Sequence, residues 1–141
     1  MSAALLSSGG CSNDCETYKA IVRSDEDQAK LIDWADGEIF SRTFEMDDFE
    51  KVPGFVGPGK GGANFDLSHA DIEVPALLSG YTIRSVGPDR HHPDVILVGK
   101  RRYQGILITR GGLDESLSRT TMDRQRVEEP SERVAMICYI D

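Results

Sequence analysis

The residues with the widest chemical reach in this chain are its three histidines. His69 is followed closely by Asp71, and the pair His91–His92 by Asp94. Imidazole and carboxylate are common donors to a zinc-type ion. His69, Asp71, His91 and Asp94 would therefore form a metal site if their segments met, although nothing in the spacing requires the meeting. The same residues suit acid–base work. One histidine would take a proton from a nucleophile and another would return it to the leaving group. Arg90, Arg101 or Arg102 would offset phosphoryl charge, and Tyr81 or Tyr103 would stack a base. His91, His92, Arg90 and Asp94 are thus the candidate catalytic set of a small phosphodiesterase or nuclease.

Charge argues for a different use. The 141 residues hold 24 acids and 16 bases, a net charge of −8. Double-stranded nucleic acid repels such a chain unless a local basic patch overrides the sum. The acids are concentrated: residues 24–50 hold ten acids and two bases, whereas residues 80–110 hold two acids and six bases. The bland reading is that the two stretches attract each other within one fold. The functional reading is an acidic face that steers a basic protein partner. On that reading Asp36, Glu45, Asp47, Asp48 and Glu50 supply the charge. Trp34, Phe49 and Phe55 supply apolar anchors inside the acidic rim.

Two further patterns lead nowhere. Gly54, Gly59 and Lys60 match the spacing of a phosphate-binding loop, but Gly61 stands where that motif needs Ser or Thr for magnesium. The acidic knot 45–50 does not match the twelve-residue calcium loop of paired helices. No cofactor is expected.

Three cysteines allow at most one internal disulfide. Cys11 and Cys15 lie four apart, and Cys138 sits in an apolar run that suits a buried thiol. An odd count favours a reducing compartment, hence a cytoplasmic expectation. The run LSSGGC ending at Cys11 resembles the end of a lipoprotein signal, which makes an extracytoplasmic lipoprotein the alternative. The charged and long apolar parts of such a signal are absent, and no run reaches the roughly 18 apolar residues of a membrane span.

The elements that would position these groups follow from periodicity. Residues 80–110 form an antiparallel meander of three runs, 81–86, 94–98 and 103–109, separated by turn signals. Ile83 should face the layer that buries alternate members of 95–98. Ile106 and Ile108 should share a face. Residues 94–98 lack polar alternation and should be covered on both sides. Val134 to Ile140, VAMICYI, reads as a central strand. Ser24 is a good N-cap for a helix whose first turn holds Asp25, Glu26 and Asp27. Its buried stripe is Gln28, Leu31, Ile32 and Ala35, and Gly37 is its natural stop. Residues 16–23 and 38–45 alternate as short strands do. Pro75 confines 72–78 to a sheet edge. Residues 52–64 form a Gly- and Pro-rich loop, and 111–133 read as a helical turn or two or a long loop.

The expected architecture is a flexible arm over 1–13 and one α+β domain over 14–141. A mainly antiparallel sheet of four to six strands, or a partly open barrel, would carry one main helix. The leading functional expectation is a non-catalytic acidic module that binds a basic protein. Small acidic inhibitors of toxic nucleases, or immunity-type proteins, are of this kind. The His91/His92 enzyme is the alternative, and a structural or envelope assembly subunit is a further one. On this last point, Tyr81, Ser85, Gly87, Pro88, Asp89, Asp94 and Ile96 are similar to a loop of minor pilin-like proteins of secretion systems. There, Gly-Pro-Asp turns precede an acidic calcium-binding residue. The long apolar N-terminal helix of that family is missing.

Overall fold

A computed structural model of the chain describes residues 14–44, 55–56, 63–87, 91–101, 104–113 and 126–138. The expected arm over 1–13 and the acidic knot 45–50 lie outside these residues, as does most of the glycine-rich loop. Two helices, α1 (Cys15–Val22) and α2 (Asp25–Ala35), precede seven strands: β1 (Phe55–Val56), β2 (Ala63–Asp66), β3 (Thr82–Gly87), β4 (Val95–Arg101), β5 (Gln104–Thr109), β6 (Arg126–Glu128) and β7 (Val134–Cys138). The strands form one antiparallel open sheet in the order β1-β2-β3-β4-β5-β7-β6. The α+β class, the antiparallel sheet and the main helix on it are as the sequence predicts. Two very short edge strands, β1 and β6, bring the tally to seven.

The meander forms, with Ile83 opposite Val98 and Ile96 opposite Ile108. Alternation assigns its side chains to two layers. Ile83, Ile96, Val98, Ile106, Ile108, Val134 and Met136 pack beneath the helices together with Tyr18, Leu31, Ala35 and Ile39. Val86, Val95, Leu97, Leu107, Ala135 and Ile137 pack on the opposite face with Leu113. Residues 95–98 are thus covered on both sides, and β7 lies between β5 and β6 rather than at an edge.

Four local expectations are corrected. Residues 16–23 are helical because the apolar spacing that is buried is Cys15, Tyr18, Ile21 and Val22, one helical face, while Ala20 is exposed. Residues 38–45 are not a strand. The helix widens past Ala35 into a π-type turn, Asp36–Phe40, instead of stopping at Gly37. That turn puts the adjacent residues Ile39 and Phe40 both into the core, which a one-sided strand cannot do. Residues 72–78 are an unpaired extended stretch ending in a short 3-10 turn, Ala76–Leu78, because Pro75 donates no ladder hydrogen bond. Cys138 is not a free thiol: it is bonded to Cys15, with Cα atoms 6.0 Å apart. The bridge ties the first residue of α1 to the last of β7 and excludes a Cys11–Cys15 pair.

Arginines fasten the helical layer to the sheet. Arg23, at the end of α1, holds Glu128 of β6 through two hydrogen bonds of 3.0 and 2.7 Å. This pairing holds the Glu128 carboxyl below its ordinary range and raises Arg23 above its own. Arg133 binds both carboxylate oxygens of Asp36, at 3.2 and 2.5 Å, and donates to the carbonyl of Thr109. Arg110 donates to the carbonyl of Phe40 at 2.8 Å.

Candidate functional site

The histidine-centred candidates are held by the fold itself. His91 Nδ1 lies 2.8 Å from the carbonyl oxygen of Phe44, and the Phe44 N–H donates to the His91 carbonyl at 3.1 Å. His91 thereby splices the stretch after the π-turn to the approach to β4. His92 beside it is exposed, as is His69 at the end of the short turn Leu67–His69. Asp94 is exposed and faces Arg110 at 3.6 Å. Asp71 is exposed, and its carbonyl accepts from Arg42 at 2.7 Å. Among the described residues no three histidine, cysteine, aspartate or glutamate side chains gather closely enough to hold a metal ion. His69, Asp71, His91 and Asp94 are all described, so the metal alternative is not assembled. Arg90 lies outside the described residues.

The acidic candidates divide more informatively. Asp36 is taken up by Arg133 and stitches α2 to the sheet. Glu45, Asp47, Asp48, Phe49 and Glu50 lie outside the described residues. Phe55 contributes backbone to β1, and its side chain also lies outside them. On α2, Glu26 pairs loosely with Lys30 at 3.5 Å, an exposed contact that contributes little. The carboxylates of Asp25, Asp27 and Asp33 make no hydrogen bond or ion pair among the described residues. With Glu26, Asp25 and Asp33 form an exposed row along the outer side of the helix, whereas Asp27 is half-buried on another side.

At the far end of that row, Trp34 lines an open cleft of about 370 Å³. One wall is the end of α2 with Asp33, Trp34, Gly37 and Glu38. The other is the unpaired strip 71–75, through Glu73, Val74 and Pro75. Elementary hydrogen-bond chemistry holds the walls together. A strip outside any ladder must satisfy its peptide groups elsewhere. The Glu73 N–H donates to Glu38 Oε1 at 3.2 Å, and its carbonyl accepts the Trp34 indole N–H at 2.5 Å. Both peptide groups of Glu73 are therefore clamped by α2 and the turn after it. Arg42 fixes the start of the strip at Asp71 and stacks over Phe44, 4.9 Å from the ring centre.

The outcome is a fixed indole, half-buried, between carboxylates. Asp33 and Glu73 project with no ion partner among the described residues. Glu38 is partly engaged, by the strip and by Arg42 at 4.0 Å. Among the described residues no lysine, arginine or histidine lines the cleft. Val74 on its rim is 38 % exposed, the one large hydrophobic residue among those described that is this open. Trp34 was legible in the sequence as an anchor beside acids. Asp33, Glu38, Glu73 and Val74 were not singled out. The available signal was Pro75, which bars 72–75 from a ladder and obliges their backbone to find side-chain partners. A comparison of the chain with protein-family models, curated proteins and solved structures finds no match.

Proposed function

We propose that this chain is a non-catalytic acidic module that binds a basic protein, in the manner of an inhibitor or immunity-type protein. The observation that carries the reading is the pair of exposed acids Asp25 and Asp33 on α2, without an ion partner among the described residues, with Asp33 at the Trp34 cleft. The fold spends Asp36 on its own cohesion, while Asp25, Asp27 and Asp33 have no ion partner among the described residues. Unpaired surface carboxylates around a fixed, half-open indole suit an interface with a charged rim and an apolar anchor. Phosphodiester chemistry at His91 and His92 has less support, because the His91 ring is bonded to a backbone carbonyl. The Cys15–Cys138 bridge favours an oxidising compartment, which is the alternative to the cytoplasm that the sequence holds open. No described helix is long and apolar enough to cross a membrane.

The test is native co-purification at low salt, with the recovered proteins scored for isoelectric point. A triple variant, Asp25→Asn, Glu26→Gln and Asp33→Asn, is run beside the parent. Screening shortens the reach of surface charge from about 10 Å at 0.1 M salt to about 3 Å at 1 M. A basic partner should therefore be captured by the parent at low salt and be lost both at high salt and in the triple variant. Capture that ignores both changes, or recovery of acidic proteins alone, refutes the proposal.

A further inference from the structure

We infer that the Trp34 cleft is a receptor for a single arginine side chain presented by the basic partner. This rests on the binding reading above and names the group that the partner must offer. Asp33, Glu38 and Glu73 line the space, and among the described residues no cation lines it. An anion is repelled there. A wholly apolar group would strip water from the carboxylates without replacing the lost hydrogen bonds. A metal ion lacks a set of three donors among the described residues. A long organic cation satisfies every wall at once.

The indole selects among cations. Its N–H is held by the Glu73 carbonyl, so the ring is fixed before any ligand arrives. A guanidinium is planar and weakly hydrated, stacks on an aromatic face, and presents several donors to carboxylates in a fixed fork. An ammonium is a compact, strongly hydrated point charge and gains less from a flat wall. The aliphatic stem of an arginine would lie along Val74 and Pro75. The volume, about 370 Å³, stands at the small end of the roughly 300–1,000 Å³ range of ligand sites. It suits one long side chain with its flanking backbone rather than a folded element.

Trp34 is the only tryptophan of the chain, so its emission reports on this cleft alone. Gly37 supplies the blocking variant. A Cβ built there meets nothing within 4 Å, so Gly37→Leu adds bulk at the cleft wall without a Cβ clash. The experiment titrates the full chain at low salt with a short fluorescein-labelled Gly/Ser peptide carrying two arginines. Matched peptides replace arginine by lysine or by neutral citrulline. Anisotropy follows binding anywhere, and Trp34 emission of unlabelled mixtures follows the cleft. The arginine peptide should bind saturably and shift Trp34 emission. Citrulline should weaken binding at least about tenfold, and lysine by severalfold. Gly37→Leu should weaken it about tenfold with an unchanged thermal midpoint. If the arginine peptide binds with Trp34 silent and Gly37→Leu indifferent, arginine docks elsewhere on the acidic face. The inference then falls and the binding role stands. Equal affinity for lysine and arginine removes the guanidinium specificity. No saturable binding of either cationic peptide overturns both readings.

Discussion

Replacing Cys15 and Cys138 by alanine opens a loop that spans 123 residues of sequence. Almost the whole described domain lies inside it, so the unfolded chain gains nearly the largest freedom that one cross-link can withhold. The chain-entropy relation puts this at about 16 cal/mol/K, or about 4.9 kcal/mol at 25 °C. Alanine is the right replacement, because Cys15 is only 5 % exposed and a serine hydroxyl there would have to find a partner. The lost sulfur packing adds on the order of 1 kcal/mol. With an unfolding entropy of roughly 2.1 cal/mol/K per residue, the thermal midpoint of the double variant should fall by about 20 °C. The assay is urea unfolding of the oxidised parent, the parent in reductant and the double variant. The double variant should lie about 1 kcal/mol below the reduced parent, which keeps its sulfurs. The m-values of both should exceed that of the oxidised parent, because the unfolded chain expands once uncrosslinked. A peptide map of the oxidised protein should recover residues 15 and 138 on one linked fragment and leave one thiol of three free. A stability difference under about 1 kcal/mol, or a map that links Cys11 to Cys15, refutes both the bridge and the packing of α1 against β7.

Three smaller perturbations test the rest of the frame. Gly99→Ala would drive its methyl into the carbonyl of Gln104 at the β4–β5 crossing and should cost about 3 kcal/mol in urea unfolding. An alanine at the open Gly112 serves as a control and should cost little. Tyr18→Phe removes the hydroxyl that accepts the Lys100 N–H at 3.0 Å and should lower stability by about 1–3 kcal/mol, with the Lys100 amide exchanging faster. Glu128→Gln breaks the Arg23 clamp. The Glu128 pKa is depressed in the folded state, by its hydrogen bond to Arg23 first, so its contribution is present at neutral pH. That contribution is lost as pH falls through the folded value, below the ordinary carboxylate range. Thermal midpoints of parent and Glu128→Gln should therefore differ at neutral pH and converge in acid. A constant gap across pH would show that the clamp does not act through the charge.

What the sequence made legible is what short-range periodicity controls. The meander, the C-terminal strand and the Ser24 cap all follow from spacing within a few residues, and the Ser24 Oγ does accept the Asp27 N–H. The misreadings share a cause. Residues 16–23 contain Thr, Ile and Val, which favour strands intrinsically, yet their buried face repeats at helical spacing. Gly37 looked like a stop because glycine so often ends helices. The pull of Ile39 and Phe40 into the core outweighed that tendency and the helix widened instead. The disulfide joins the two ends of the domain, and no local pattern encodes a separation of that size. The Trp34 cleft was only partly visible: the indole was legible as an anchor, but the acids that line it were not singled out, and its second wall comes from residues 71–75, about forty positions away.

The position of the arginines bears on which described acids of the helical layer are paired. Arg23, Arg42, Arg110 and Arg133 each donate to a carboxylate or a backbone carbonyl that joins two parts of the fold. A guanidinium can do this where an ammonium cannot, because its donors fan out in a plane and reach several acceptors at once. Each arginine so committed leaves the pool of cations that might neutralise the surface. The described acids of residues 24–44 are thus unevenly served: Asp36 and Glu38 lie where arginines staple the π-turn, while the exposed Asp25 and Asp33 make no ion pair with a described residue. The surplus charge is therefore localised by the way the domain is fastened. The same fastening predicts that Arg133→Met loosens the Asp36 end of α2 and lowers the thermal midpoint, while the outer row, Asp33 included, keeps its charge and its capacity to meet a cation.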